Sequence, residues 1–369
     1  MKIVRILTII TLLVSVANIH LFAQTAPKYS NDFLGIGVGA RALGLGNAVT
    51  SSSDDITSVY WNPASLHELD RKMEIGAMHS EYYAGISKYD FIGVSYKIDN
   101  KSAVALSMIR FAVDDIPNTL DLFDSDGNMD YSRISSFSAG DYAFLFTYSR
   151  SLPVKGLSVG ANIKLIRRVA GNFASAWGFG FDIAAKYELK NWKFGANFRD
   201  VTSTFNAWQF NQDELREVFE QTGNEIPENG LELTLPRLVL GVGYMWNIGG
   251  KFTLYPEIAI PITTDGKRNA IIKTNFISID PSAGVEFGYN DLVFVRFGAS
   301  NFQQIPEFND KKSLSWQPNL GVGVKFKGIR IDYALSNIGN QGIGLYSHIF
   351  SLSYAFNFSK NKDASTSRL

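Results

Sequence analysis

The hydrophobic pattern of this chain repeats every second residue over most of its length. Residues 177–187 carry rings and aliphatic side chains at alternate positions, and the positions between them are small or charged: Gly178, Gly180, Asp182, Ala184 and Lys186. Residues 316–326 and 348–358 alternate in the same way. Because successive residues of a β-strand point to opposite faces, the pattern predicts strands with one apolar face.

About fourteen segments share this alternation. They lie near residues 72–80, 88–97, 101–113, 139–149, 157–168, 177–187, 192–201, 237–246, 252–262, 282–290, 292–301, 316–326, 328–336 and 347–358. Most are close to the roughly ten residues with which a tilted strand crosses a bilayer. Their apolar faces often begin or end in an aromatic ring, as the aromatic girdles of membrane barrels require, and their other faces suit a hydrated or plugged lumen.

Short and long connections alternate between these segments. Tight turns at 99–100, 188–191, 247–250, 290–291 and 327–328 separate longer stretches such as 114–138, 202–236, 263–281 and 302–315. Outer-membrane barrels combine short periplasmic turns with long external loops, whereas a soluble sandwich has no reason to keep this asymmetry. We therefore predict an all-β protein, a transmembrane antiparallel β-barrel of about 14 strands over residues 72–358. The loops 114–138, 202–236 and 302–315 are expected outside the cell, and both termini in the periplasm.

The N-terminus has the features of an export signal. Lys2 and Arg5 precede an apolar run over residues 6–16, and Ala23-Gln24 is a plausible cleavage point. We predict a signal peptide over residues 1–23; the alternative is an N-terminal membrane anchor, for which the apolar run is short. The mature protein is then expected in the bacterial outer membrane.

Composition narrows the function further. The chain of 369 residues has 35 Lys+Arg, 35 Asp+Glu and no Cys. Balanced charge argues against a polybasic nucleic-acid binder, so no nucleic-acid partner is expected. The absence of Cys excludes disulfides, thiolate metal sites and thiol catalysis. The 32 Gly and 13% aromatic residues agree with rings facing lipid and small residues lining the lumen.

Residues 24–71 precede the first strand, and we expect them to form a periplasmic N-terminus and a plug, or hatch, inside the barrel. Arg41 would then be buried and paired with a carboxylate of the lumen, for which Asp182 is a candidate. The glycine run around it imitates a dinucleotide fingerprint but lacks the βαβ unit, so no cofactor is expected. Three of its glycines would permit close backbone approach: Gly39, Gly44 and Gly46.

A second motif follows at Tyr60-Trp-Asn-Pro-Ala64. Pro63 fixes a turn and the Asn62 side chain can bond neighbouring backbone groups, so a rigid corner is predicted here, with Ala64 completing it. With Gly39-Ala-Arg-Ala-Leu-Gly-Leu-Gly-Asn-Ala48 and Asp54-Asp55, this motif resembles the start of the PorV/PorQ family of the Bacteroidetes, which belongs with the FadL-like outer-membrane barrels. The resemblance in motif covers residues 33–66.

This resemblance implies a fourteen-stranded barrel with an N-terminal plug. It further implies either of two roles. PorV-type members are non-enzymatic partners of the type IX secretion translocon and engage secreted cargo, whereas FadL-type members pass hydrophobic molecules across the outer membrane. The sequence departs from the pattern at Ser65, where a Gly is usual, and in the tail 359–369, which continues past the last aromatic residue.

The loop 202–236 contains one predicted helix. Asn211 can cap it, with Glu214 three residues on, and Gly223 can end it. An apolar stripe on the helix and the rings just before it leave two interpretations open. Either they pack together to close the barrel mouth, or they form an exposed surface for a partner or a hydrophobic ligand. The candidate contact residues are Phe205, Trp208, Phe210, Leu215 and Phe219, with Val218 in the same stripe.

The loop 114–138 is acidic, and catalytic motifs are scarce. Asp124, Asp126, Asn128 and Asp130 could offer oxygen ligands to Ca²⁺, but the glycine and glutamate of an EF-hand are misplaced, so a solvated loop without metal is favoured. His67-Glu68 lacks the second His of a zinc helix. His348 near the outer rim suits an aromatic girdle better than a catalytic site. We therefore predict no catalytic residues and no enzyme activity.

Two functional hypotheses remain. The first is a subunit of a larger outer-membrane secretion or assembly complex, whose partners are membrane lipid, other outer-membrane proteins and exported cargo. The alternative is a transporter of hydrophobic small molecules, which predicts an apolar path through the lumen.

Overall fold

The computed structural model describes residues 30–83, 85–120, 122, 126–222, 225, 228–264, 270–306, 312–336 and 347–358. The predicted signal peptide and the tail 359–369 lie outside the described residues. No helix in the described ranges is long and apolar enough to cross a membrane.

Nineteen strands in these residues form one antiparallel sheet. They are β1 (Met73–Tyr82), β2 (Ser87–Lys97), β3 (Ser102–Asn118), β4 (Ser135–Ser151), β5 (Leu157–Ala170), β6 (Ala174–Leu189), β7 (Trp192–Arg199), β8 (Thr204–Phe210), β9 (Gly230–Thr234), β10 (Arg237–Tyr244), β11 (Trp246–Ile248), β12 (Phe252–Thr263), β13 (Ile272–Lys273), β14 (Ser278–Ile279), β15 (Ser282–Tyr289), β16 (Val293–Pro306), β17 (Lys312–Phe326), β18 (Ile329–Ser336) and β19 (Ser347–Phe356). The first strand pairs with both β2 and β19, so the sheet closes on itself.

Fourteen of these strands build the barrel wall, and the predicted fold class is confirmed. The wall consists of β1–β7, β10, β12 and β15–β19, each hydrogen-bonded to its neighbours along the chain. Alternation places apolar side chains outward and small or charged ones inward. On β6, for example, Trp177 is exposed while Asp182 and Lys186 are buried. A closed antiparallel sheet leaves no unpaired edge, which a bilayer would not tolerate.

The structure differs from the sequence prediction in the outer halves of several strands. The segment predicted as the loop 202–236 contains two strands, β8 and β9, which pair with each other. Strands β7 and β8 both pair with β6, at different positions along it, and a break at residues 200–203 separates β7 from β8. The hairpin of β3 and β4 also continues past the predicted ends. A register shift between Val113 and Ile116, with Asp115 at φ 56°, interrupts the two-residue period there. Because a bulge inserts an extra residue, the side chains beyond it no longer follow the alternation that precedes it, and the pattern does not show that the strand continues.

Before the first strand, residues 30–69 form a compact stretch that we call the inner segment. It contains helices α1 (Ala40–Gly44) and α2 (Ser58–Trp61) and two 3₁₀ helices, Asp32–Gly35 and Pro63–Glu68. Its buried apolar residues share one core with inward-facing side chains of the wall, among them Met78, Phe91, Leu145 and Ile349. Helix α3 (Gln212–Thr222) confirms the helix predicted within residues 202–236, and it lies between β8 and β9. A third 3₁₀ helix spans Tyr131–Arg133.

Candidate functional site: the inner segment and its buried charges

Glycines on both partners let the inner segment lie directly against the wall. A Cβ atom on Gly44 would stand 2.9 Å from the Cα atom of Gly321 on β17. A Cβ atom on Gly298 of β16 would stand 2.2 Å from the backbone nitrogen of Gly46. Both distances are far below ordinary carbon contacts, so helix α1 and its last turn require glycines across the contact.

Arg41 is the central cation of the inner segment, with 7% of its surface exposed. Its guanidinium donates to both carboxylate oxygens of Glu286 on β15, at 2.9 and 3.0 Å. It also donates to Asp54 at 3.4 Å and to the carbonyl of Ser52 at 2.9 Å. The two-pronged geometry is the strongest that arginine makes with a carboxylate. Arg41 therefore pairs with an inward-facing acid, but the candidate Asp182 was wrong, because Asp182 binds Lys164 at 2.8 Å.

The pairing of Arg41 continues into a network along three strands. Arg296 on β16, with none of its surface exposed, donates to Glu286 at 2.5 Å and to Asp332 at 2.6 Å. Arg330 on β18 donates to Asp332 and to Asp54, both at 3.0 Å. Buried charges are tolerated when they are paired and hydrogen-bonded. The network thus ties the inner segment to the wall through alternating charges.

Asp54 shows the electrostatic effect of this network on the inner segment. Loss of bulk water around the carboxyl opposes its ionisation, but the guanidinium groups of Arg41 and Arg330 outweigh that effect and hold its pKa well below the usual range. The side chain keeps 45% of its surface exposed, so water still screens part of the interaction.

The Asn62-Pro63-Ala64 motif forms a corner between two helices. The fully buried Asn62 accepts from the backbone nitrogen of Ala64 at 3.1 Å and donates to the carbonyl of Thr50 at 2.7 Å. Asparagine side chains of the wall complete the corner: Asn162 donates to the carbonyl of Val59 at 2.8 Å and Asn197 to that of Trp61 at 3.0 Å. These bonds satisfy helix-end carbonyls that would otherwise be buried without partners.

Two buried lysines of the wall were missed by the sequence reasoning. Lys164 on β5 binds Asp182 and Asp200, and Lys186 on β6 binds Glu188 at 3.1 Å and Glu68 of the inner segment. Both occupy inward-facing positions in the alternation, where Lys186 shares its strand face with Asp182 and Glu188. That inward position is the sequence signal that could have identified them, since a buried charge needs a partner.

The external aromatic residues predicted as a contact surface do not share one face. Phe205 on β8 is exposed on the outward side. Trp208 and Phe210 are half-buried on the other side and stack at 6.2 Å, with the Arg168 guanidinium 5.0 Å from the Trp208 ring. Leu215 on α3 is buried, and Phe219 is half-buried. Gly223, the predicted helix stop, lies outside the described residues.

The acidic loop and His348 have local roles in the structure. Asp130 accepts from the hydroxyl and the backbone nitrogen of Ser132, and these hydrogen bonds lower the pKa of its carboxyl. In the described part of the chain no three His, Asp or Glu residues are grouped as a metal site would need; Asp124 is outside that part. His348 faces outward and lies 2.7 Å from the Tyr333 hydroxyl.

Two cavities flank the inner segment, one at each end of the barrel. A cavity of about 440 Å³ at the tight-turn end is lined by charged residues, including Asp70, Lys325 and Arg330. A cavity of about 290 Å³ at the opposite end is lined by amides and hydroxyls, including Asn47, Gln317 and Asn319. Each lining combines polar or charged groups with apolar side chains, such as Phe326 in the first cavity and Leu43 in the second.

Comparisons with known proteins agree with this architecture. A family model described as type IX secretion system protein PorV matches residues 24–210. No curated protein matches the chain.

Among solved structures, the fold is similar to CymD, a monoaromatic hydrocarbon channel (13% identity, 88% of this chain and 98% of that chain, TM-score 0.53). It is also similar to the toluene transporter TodX of P. putida (13% identity, 88% and 99%, TM-score 0.53) and to a FadL homologue of Pseudomonas aeruginosa (12% identity, 86% and 98%, TM-score 0.52). At these identities the likeness shows the fold alone.

Proposed function

The chain belongs to the PorV family of type IX secretion system proteins, and from this premise we propose that it is a non-enzymatic subunit of a larger outer-membrane secretion complex. The family match carries the proposal, and it covers the whole inner segment together with the first half of the wall. The protein is an outer-membrane β-barrel, so its contacts with other subunits form within the bilayer or at its two surfaces.

The interior of the barrel supports a structural role. The inner segment is held by a bidentate Arg41–Glu286 pair, by the adjoining Arg296 and Arg330 guanidiniums, and by wall asparagines bound to its carbonyls. Such a set of interactions resists displacement, because each buried charge that lost its partner would be left unpaired. A fixed inner segment suits a subunit that presents a rigid surface to its partners.

We place the engagement of exported cargo at the external end of the barrel. There β8, β9 and helix α3 extend the wall beyond the break at residues 200–203, and the long β3–β4 hairpin stands beside them. Exposed backbone and rings at such an extension can bind a polypeptide. This assignment covers the predicted contact residues Phe205, Trp208 and Phe210, together with Leu215 and Phe219 on the helix.

The alternative is a FadL-like transporter of hydrophobic compounds. It is favoured by the shared fold with channels and transporters for aromatic hydrocarbons. The buried charges of Arg41, Glu286 and Arg296 beside the inner segment argue against it, since an apolar substrate would have to pass these charged groups.

Affinity purification in mild detergent tests the proposal. The full-length protein, tagged at its C-terminus, is expected to bring down a large outer-membrane protein in stoichiometric amount. An abundant barrel of the same membrane, carrying the same tag, serves as the control bait. Recovery of the tagged barrel alone, while cells lacking it secrete normally but fail to take up monoaromatic hydrocarbons, would establish the transporter instead.

A further inference from the structure

Four wall strands carry uncharged polar side chains at inward positions on the external side of helix α1. These side chains, all buried, are Ser282 on β15, Ser300 on β16, Gln317 and Asn319 on β17, and Ser336 on β18. They line the cavity of about 290 Å³ at the external end of the barrel, which we call the cup. Toward the tight turns, the inward positions of the same strands belong instead to the charged network around Arg41. The lining of hydroxyls and amides is therefore confined to the external side of the inner segment.

The inner segment forms the floor of the cup. Leu43 and Gly46 of helix α1 and its last turn line it from below, with Asn47 directly after them. Helix α1 lies against the backbone of β16 and β17 so closely that a Cβ atom on Gly298 or Gly321 would contact backbone atoms of Gly46 or Gly44. The cup therefore ends at the inner segment, and its floor adds the apolar surface of Leu43 to the polar wall.

Hydrogen bonds hold the polar side chains of the wall in fixed orientations. The Gln317 amide donates to the Ser336 hydroxyl at 2.8 Å, and that hydroxyl donates to the Asn319 side-chain carbonyl at 2.6 Å. The Asn319 amide in turn donates to the Ser300 hydroxyl at 3.1 Å. These groups form a continuous chain across β16, β17 and β18. A site whose polar groups are already oriented loses little conformational freedom when a ligand binds.

Two polar atoms of the lining have no hydrogen-bond partner in the described part of the chain. Ser282 is 6% exposed, and its hydroxyl has no such partner. The same is true of the amide oxygen of Asn47 on the floor. Buried polar atoms are nearly always hydrogen-bonded, because leaving them unsatisfied is unfavourable. The cup therefore calls for a polar occupant that supplies these bonds.

From this geometry we propose that the cup is a binding site for a small neutral saccharide, either a free sugar or the terminal unit of a surface glycan. Sugar hydroxyls both donate and accept, so they can donate to the Asn47 carbonyl and form either kind of bond with the Ser282 hydroxyl. The C–H groups of a sugar ring can pack against Leu43 and Pro261, which also line the cup. The site goes beyond the proposed function, which concerns protein partners only.

The charges of the lining favour a neutral ligand over an anion. Among the described residues of the lining, Asp32 and Asp280 are acidic and Arg237 is basic. Arg237 and Asp280 are already bonded within the protein. An anionic ligand would meet the carboxylates without gaining an open guanidinium, so a phosphate-bearing group is disfavoured.

The form of the cup favours a saccharide over a polypeptide or an apolar compound. Strands β15 to β18 are each paired on both sides, so they offer no strand edge to an extended backbone. An apolar molecule would leave the hydroxyl of Ser282 and the carbonyl of Asn47 without partners. Water can satisfy both groups, and a sugar can replace that water because its hydroxyls reproduce the same bonds. The volume is close to the lower end for small-molecule sites, roughly 300 Å³, so the ligand is small.

Saturation-transfer difference NMR on the full-length protein tests the site. The protein is purified in dodecyldimethylamine oxide, a detergent whose head group is not a sugar. The probes are maltose and cellobiose, and neutral oligosaccharides released from the surface polysaccharide of the protein's own cells. We expect saturation transfer to at least one of these probes. The probe with the lower Kd shows whether the natural source is a free sugar or the cell surface.

Two matched serines show where the saccharide binds. Ser107 on β3 is 3% exposed, its hydroxyl also has no partner in the described part of the chain, and it does not line the cup. Ser282→Ala is expected to raise the Kd about fivefold, the effect of one hydrogen bond, whereas Ser107→Ala should leave the Kd unchanged. Asn47→Gly gives a second variant, since glycine accepts the φ of 69° at this position. It should also raise the Kd, and heat-modifiable gel mobility confirms that each variant is folded.

Three results would overturn the proposal. Absence of saturation transfer to every saccharide probe would show that the cup holds water only. Equal Kd values for wild type, Ser282→Ala and Asn47→Gly would place the saccharide elsewhere on the molecule. Transfer to trialanine or to phosphate-bearing glycan fragments, but not to the neutral probes, would assign the cup to another class of ligand. None of these results bears on the co-purifying partner, so the proposed function is tested separately.

Discussion

Arg41 joins two carboxylates that come from different parts of the molecule, Glu286 on the wall and Asp54 in the inner segment itself. Arg41→Met keeps an unbranched apolar stem and removes the charge. We expect the free energy of unfolding to fall by about 3 kcal/mol, the lower end for a broken buried pair, because Arg296 still neutralises Glu286. The shift of heat-modifiable mobility in SDS gels measures the change.

The control for this substitution is a pair of similar length that remains accessible to water. Lys193 and Glu188 are 3.2 Å apart, and both are only partly buried. Lys193→Met is expected to cost less than about 1 kcal/mol. If both substitutions lowered the free energy of unfolding equally, burial would not explain the contribution of the Arg41 ion pairs to stability.

Because the pKa of Asp54 is lowered in the folded protein, we expect its contribution to the stability of the fold to depend on pH. A carboxyl whose pKa is lower in the folded than in the unfolded protein stabilises the fold above its ordinary pKa of about 4, and that stabilisation is lost as the pH falls toward the folded value. The wild type should therefore be more stable than Asp54→Asn at pH 7, and the difference should shrink steadily below about pH 4. Thermal unfolding of both proteins between pH 7 and pH 2 gives the comparison. A difference that does not change with pH would show that Asp54 contributes through hydrogen bonding alone.

The identity of a buried partner is the part of the site that the sequence could not supply. Alternation shows that Asp182 and Glu286 both face the lumen, and it shows equally that Arg41 needs an acid. It does not give the angular position of each strand relative to the inner segment, which depends on how the whole sheet closes. Asp182 lies beside Lys164, whereas Arg41 lies against β15 and binds Glu286, 245 residues further along the chain.

At the scale of elements, the position of helix α1 against the wall depends on glycines of the wall. A Cβ atom on Gly298 would stand 2.2 Å from the nitrogen of Gly46 and 2.3 Å from the carbonyl carbon of Leu45. Since backbone atoms cannot move aside as a side chain can, Gly298→Ala should displace the last turn of α1 at a cost of about 1–3 kcal/mol. Faster cleavage by trypsin at Arg41, in protein reconstituted into liposomes, would reveal the displacement.

Gly35 offers a matched glycine without a close neighbour. No atom lies within 4 Å of a Cβ placed on it, and its backbone does not adopt positive φ. Gly35→Ala is therefore expected to leave both the stability and the trypsin pattern unchanged. Equal effects of the two alanine substitutions would mean that close approach at Gly298 does not position the helix.

Element boundaries show where sequence periodicity succeeds and where it fails. The fourteen wall strands follow from alternation, because each keeps one face to lipid and the other to the lumen. Strands β8 and β9 did not emerge from the alternation, because they have only seven and five residues and a break at residues 200–203 separates β8 from β7. The bulge at Asp115 broke the pattern in β3 for a different reason, a change of register within one strand.

At the scale of the whole molecule, the chain closes a sheet around a segment that precedes it. The wall is complete only when β19 pairs with β1, at the two ends of the barrel sequence. Both strands also contact the inner segment: Met78 on β1 accepts from the nitrogen of Gly39, and Ser351 on β19 from that of Ala40 at 2.8 Å. The inner segment therefore binds both strands that meet at the seam. Closure of the wall and docking of the inner segment should depend on each other.

This seam allows the two candidate functions to be separated in one molecule. The chain contains no Cys, so Ala40→Cys with Ser351→Cys introduces a single possible disulfide, between helix α1 of the inner segment and β19, where the Ala40 nitrogen donates to the Ser351 hydroxyl. We expect the oxidised double variant to co-purify with its partner and support secretion as the wild type does, because a structural subunit does not need the inner segment to move. A transporter that opens by moving this segment would instead lose uptake on oxidation and regain it on reduction. Each single-cysteine variant, treated with the same oxidant, controls for effects of the thiols themselves, and the gel mobility of the oxidised protein reports how completely the bridge has formed.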